Sequence, residues 1–355
     1  MRGLRVERMA RRGVWATVLV VLLAQVIASR VAPAQDVADQ AAALVVYPYV
    51  VVDGTNGVDT LLQLSNAGEA DVGVRCFYEN ATHYCSNNPA TACTDDTTCS
   101  PGGVCEAQWT AHEFVIGLMP GQPQAWRASE GKIAVGIPAV DPMVGLLRCT
   151  VVDIDTFLPI AANVLEGTAL LDEFRPEPSP EFDTARYNAL GFRALGPGDG
   201  DGALTLGSEY AGCANVVSYA HFTAGVADPV APQRQVNTRV VVVPCSVDYA
   251  AGLPGSVMVH YSVWNEFGQR VGSSRRVTGQ DAAGLSDVHA TLFSAATLGT
   301  LTAKTTVAGI EGGVLVLGIE THAEPDVIGA GSAAFGVEHR GSRATNDLVV
   351  LPPNL

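Results

Sequence analysis

The residues with the plainest chemistry in this chain are its eight cysteines. Four of them crowd one polar stretch, Cys85-x7-Cys93-x5-Cys99-x5-Cys105, with Pro89, Asp95, Asp96 and Gly102-Gly103 between them. Thiolates bind zinc, but paired zinc ligands favour a Cys-x2-Cys spacing that is missing here. Disulfides are the favoured reading, because a polar loop of this length has no core of its own and needs staples. Four cysteines allow three pairings. The expectation is the crossed one, Cys85–Cys99 with Cys93–Cys105. Cys76 and Cys149 fall in apolar stretches and are expected to pair. Cys213 and Cys245 are expected to pair likewise, with buried free thiols as the alternative in both cases.

Other groups offer weaker chemistry. Asp199-Gly200-Asp201-Gly202 has the oxygen-rich, glycine-rich composition of a calcium loop. It lacks an EF-hand spacing, so a flexible loop is favoured, with Asp199 and Asp201 as candidate calcium ligands. No other cofactor is expected. The seven histidines are scattered, without a His-Glu-x-x-His or a close pair. His260 falls on the polar phase of an alternating stretch and reads as a solvated position. Gly329-Ala330-Gly331-Ser332 only approximates a nucleophile elbow. Asp153 and Asp155 make no glycosidase pair by spacing alone. Trp126 and Trp264 are candidates for a sugar-stacking platform, and a core tryptophan is the favoured alternative. Asn80-Ala81-Thr82 fits a glycosylation sequon.

Those residues must be positioned by strands. Leu44–Val52 is rich in Val and Tyr, and Asp53-Gly54-Thr55-Asn56-Gly57 is turn chemistry. Val72, Val74, Cys76 and Tyr78 alternate with period two. Further strands are expected at 114–118, 133–135, 146–152, 169–171, 216–221, 239–243, 257–264, 301–307, 314–319, 333–337 and 348–351. Tyr187–Leu195 and Ala203–Tyr210 flank Gly196–Gly202 and read as a hairpin with a long loop. Only Leu285–Leu298 suggests a short helix. A faint repeat relates the two halves: Val72-x-Val74 runs to Asn80 as Val257-x-Val259 runs to Asn265. The expected fold is all-β, with two tandem Ig-like β-sandwich domains and a disulfide-rich loop insertion in the first. The expected boundaries are 1–34, 35–228 with the insertion at 83–106, and 229–355.

The first segment, 1–34, reads as a cleavable signal peptide. Arg2, Arg5, Arg8, Arg11 and Arg12 precede an 11-residue apolar run from Val14 to Ala24, and Ala32-Pro33-Ala34 follows. That run is short of the about 20 residues a spanning helix needs. Arg11-Arg12 leaves twin-arginine export open beside the general route. Cleavage removes six Arg and one Glu from 21 basic and 36 acidic residues, leaving 15 and 35 and a net charge of −20. Such acidity argues against nucleic acids and anionic membrane surfaces as partners. Export favours oxidised cysteines.

The stretch Val51-Val52-Asp53-Gly54, Asp59 to Asn66, Val74-Arg75-Cys76-Phe77-Tyr78 and Trp126-Arg127-Ala128-Ser129-Glu130-Gly131 resembles a group of uncharacterised secreted bacterial proteins. Val263-Trp264-Asn265-Glu266-Phe267-Gly268-Gln269-Arg270 is similar to a matching segment in them. The resemblance implies export and a β-sandwich-like fold, and no activity. The leading expectation is therefore a non-enzymatic secreted, periplasmic or cell-surface protein with a structural, adhesive or protein-interaction role and a protein or glycan partner. The alternatives are a glycan- or calcium-dependent binding module and a hydrolase with an unrecognised site.

Overall fold

The computed structural model describes residues 40–80, 83–92, 99, 101–107, 109–175, 181–223, 225–227, 232, 235–323, 332–335, 338–344 and 347–353. The expected signal peptide lies outside them. In chain order the strands are β1 (Leu44–Val52), β2 (Val58–Asn66), β3 (Val72–Asn80), β4 (His83–Cys85), β5 (Asn88–Ala92), β6 (Cys105–Ala107), β7 (Thr110–Leu118), β8 (Pro123–Arg127) and β9 (Met143–Val152). They continue as β10 (Leu165–Arg175), β11 (Glu181–Asn188), β12 (Leu190–Phe192), β13 (Ala203–Leu206), β14 (Cys213–Phe222), β15 (Val226–Ala227), β16 (Gln235–Pro244) and β17 (Val247–Asp248). The last are β18 (Ser256–Asn265), β19 (Arg270–Thr278), β20 (Asp281–Gly284), β21 (Thr302–Gly309), β22 (Val314–Ala323), β23 (Ser332–Phe335), β24 (Glu338–Ala344) and β25 (Asp347–Val350). Two four-residue helices, α1 (Leu285–Val288) and α2 (Ala295–Leu298), sit between β20 and β21.

The protein is all-β, with 60% of it in strands. Five small sheets carry the fold. They run β12-β1-β9-β3-β7, β11-β10-β2-β8, β13-β25-β17, β19-β18-β21-β14-β24, and β15-β16-β22-β23 with β20 beside β16. A sixth, β5-β4-β6, forms the cysteine-rich flap. The five are set as the blades of a five-blade β-propeller, and this overturns the two tandem Ig-like sandwiches. The wiring is not that of consecutive four-stranded blades. Each main sheet recruits strands from distant stretches, and β14 joins β18, β21 and β24.

Burial supplies the physical reason for the correction. A sheet in a two-layer sandwich keeps one face wet and alternates. β3 and β9 are buried along nearly their whole length, as is β1. In β16, Val241 and Val243 enter the larger core while Val240 and Val242 enter the smaller one. In β22, Leu315 and Leu317 face the first core and Val314 and Val316 the second. The β1 and β16 sheets are thus covered on both faces. The strands β8 and β19 instead alternate between more and less exposed positions. Residues Val37–Leu355 form one compact unit.

Polar bonds tie the layers. Tyr47 on β1 donates its hydroxyl to the Gln63 carbonyl of β2 at 2.6 Å. Arg239 on β16 donates to the Tyr49 hydroxyl of β1 at 2.8 Å. Gln280 donates to the Pro48 and Gly145 carbonyls at 2.6 and 2.7 Å. At the C-terminus, β25 pairs antiparallel with β13 and parallel with β17.

Two local expectations are also corrected. Residues 133–135 form a 3₁₀ turn, closed by Gly136 at φ 84°, a conformation that favours glycine over a strand residue. The arms around Gly196–Gly202 do not make a hairpin. β12 pairs with β1 and β13 with β25, and one isolated bridge, Ala194 with Tyr210, joins the arms.

Candidate binding face

The expected site residues are dispersed. Trp126 is 3% exposed and donates its indole N–H to the Tyr78 hydroxyl at 2.6 Å, which makes it a core residue between β8 and β3. Asp199 and Asp201 serve their own loop: Asp199 accepts from the Asp201 N–H and Asp201 from the Ala203 N–H. Asp153 accepts from the backbone of Asp155 and from the backbone and hydroxyl of Thr156. Those bonds, led by the Thr156 backbone, hold its carboxyl below the usual range.

The cysteines are joined as Cys76–Cys149, Cys85–Cys99 and Cys213–Cys245. Cys105 is also disulfide-bonded, while Cys93 lies outside the described residues. Cys213, Cys245 and the Asp347 carboxylate lie close enough to suggest a metal site. The disulfide removes the two thiolates such a site would need. Asp347 instead accepts from Ser246 Oγ at 2.8 Å and the Gly313 N–H at 2.9 Å.

Trp264 stands apart from the other candidates. It lies on β18 with Ser256, Met258, His260 and Ser262 on the outer side of the sheet. Val257, Val259, Tyr261 and Val263 point inward into the smaller core. Period-two alternation of the β18 sequence produces this division. In register, Trp264 is opposite Arg270 on β19 and Lys304 on β21. Three neighbouring strands therefore present cation, indole and cation in one row.

No protein-family model matches this chain, and no curated protein matches it either.

The row is held from several sides. The Arg270 guanidinium lies over the Trp264 ring, 5.2 Å from its centre. Its Nε and Nη2 donate to Ser262 Oγ at 3.2 and 2.7 Å. A cation over an indole is an electrostatic attraction that also fixes the guanidinium plane. The hairpin that brings Arg270 back is organised by Asn265. Its side-chain oxygen accepts from the Phe267 and Gln269 N–H groups, and its Nδ2 donates to the Leu298 carbonyl. Gly268 closes the turn at φ 75°.

Beyond the row the face is small and hydroxylic. His260 Nδ1 is 2.8 Å from Ser274 Oγ, and Ser218 and Thr306 share a 2.8 Å hydroxyl contact. Gly272 leaves room for the imidazole: a Cβ there would sit 3.1 Å from His260 Nε2. His260 with Ser274 has the separation of a base and a nucleophile. Among the described residues no carboxylate bonds His260 Nε2, so the orienting third group of a triad is absent there. At the turn end, Phe267 and Leu301 are 74% and 64% exposed. Glu266 links these loops by accepting from the Thr302 N–H and hydroxyl, bonds that pull its carboxyl below its ordinary value.

The sequence singled out Trp264 but not its neighbours. Arg270 was within reach, because a tight turn after Asn265 returns the chain six residues later. Lys304 was not, since its pairing with Trp264 spans a connection that only the fold reveals. No helix among the described residues is long and apolar enough to cross a membrane.

Proposed function

We propose that this chain is an exported, non-enzymatic interaction protein of the cell envelope or extracellular space, and that the outer face of the β18 sheet is its contact surface. The observation that carries the proposal is the Arg270–Trp264–Lys304 row on an open, alternating sheet. Trp and Arg are the residues that dominate recognition energies. A row fixed by strand pairing rather than by loops loses little entropy on binding. Export is supported by the charge and apolar pattern of 1–34 and by the disulfides.

The test is co-sedimentation of the purified, oxidised protein with the envelope fraction of its native host. The wild type is expected in the pellet and Trp264→Ala in the supernatant. Equal pelleting of the two removes this face from the account.

A further inference from the structure

We infer that the occupant of this face is an acidic polysaccharide, a chain of sugar rings bearing carboxylate or sulfate groups. The inference rests on the binding role proposed above.

Charge is the first argument. The face carries Arg270, Lys304 and Arg276 in a chain of net charge −15. The rest of such a surface repels anions, so a basic face on it selects where an anion lands. Arg276 meets Glu311 at 3.4 Å, with both side chains at least half exposed, so water competes with that pair.

Preorganisation of the guanidinium points the same way. Trp264 and Ser262 hold the Arg270 guanidinium, and its Nη1 makes no hydrogen bond among the described residues. A fixed planar fork of this kind matches carboxylate and sulfate oxygens two at a time.

Shape is the third. Neighbouring strands are about 4.8 Å apart, close to the length of one sugar unit. A polysaccharide laid across β19, β18 and β21 meets charge, ring and charge in succession. The rows beside it offer Ser274, which is exposed, and Thr306, which is half-buried, to sugar hydroxyls. An acidic protein partner would call for an apolar centre with a polar rim. Here the strongly exposed apolar groups, Phe267 and Leu301, lie at the turn end of the face instead.

Affinity electrophoresis of the full exported chain, in native gels cast with polygalacturonate, dextran sulfate, dextran or poly-L-glutamate, tests this. Retardation is expected in the first two and not in dextran, and it should weaken as salt is added. Arg270→Ala and Lys304→Ala should each weaken polygalacturonate binding about tenfold, with Lys132→Ala, a cation on a turn beside β8, unchanged. Retardation by dextran equal to that by polygalacturonate overturns the anionic requirement and leaves the binding face intact. Equal retardation by poly-L-glutamate overturns the carbohydrate. No retardation by any polymer overturns the inference, while the envelope test judges the broader proposal separately.

Discussion

Glu79 on β3 and Arg148 on β9 form an ion pair at 3.1 Å with both side chains 2% exposed. Arg148 also donates from Nη1 to the Cys245 carbonyl at 2.9 Å, and Tyr249 donates its hydroxyl to Glu79 at 2.6 Å. The Tyr249 ring stacks on Phe77. This cluster fastens the β1 sheet to the segment leading out of β16. Burial opposes the charge on Arg148, but Glu79 and Tyr249 outweigh it and hold the guanidinium protonated. Arg148→Met leaves Glu79 buried without its cation and should cost about 3–5 kcal/mol in urea unfolding at pH 7. Glu79→Leu combined with Arg148→Met should recover most of that loss. A single variant as stable as the wild type would mean that the pair does not hold the sheets together.

His221 gives a pH dependence. It faces inward from β14, with Nε2 2.7 Å from Thr305 Oγ1 and Nδ1 2.8 Å from the Phe222 carbonyl. Burial depresses its pKa below the usual 6.5, and the Phe222 carbonyl offsets part of that. As pH falls below the unfolded value, the unfolded chain takes up a proton that the folded chain resists. Stability from this group is therefore complete above that value and lost as pH drops. Between pH 7 and 5 the wild type should lose up to about 1.4 kcal/mol per pH unit more than His221→Gln. Parallel melting profiles for the two would contradict the assignment.

The Cys213–Cys245 disulfide closes a loop with a sequence separation of 32. Replacing both cysteines by alanine should lower stability by about 3–4 kcal/mol. Zinc added to the oxidised protein should leave the melting temperature unchanged, because the bonded sulfurs are not thiolates. A zinc-dependent rise would revive the metal site with Asp347.

Period-two alternation revealed much of the strand content. β3, which runs from Val72 to Asn80, and the four-valine run in β16 are legible in that way. What alternation does not carry is the partner. The same Val240–Val243 run fits any strand covered on both faces, and nothing local says that β22 pairs with it or that two separate cores cover it. The β13–β25 pairing joins residues far apart in sequence, and composition is silent about it. Residues 133–135 look like a strand because they are apolar, whereas the flanking glycines Gly131 and Gly136, both at positive φ, decide the turn. At the candidate site, Trp264 was legible as an aromatic before a turn. The cations on either side of it depend on register.

Charge reversal on the row tests the central claim most directly. Arg270→Glu with Lys304→Glu should fold like the wild type, because both side chains lie on the outer face of the sheet. Envelope co-sedimentation of this double variant should fall to background, while Lys132→Glu pellets like the wild type. If the double variant pellets undiminished, the Trp264 face is not where this protein binds.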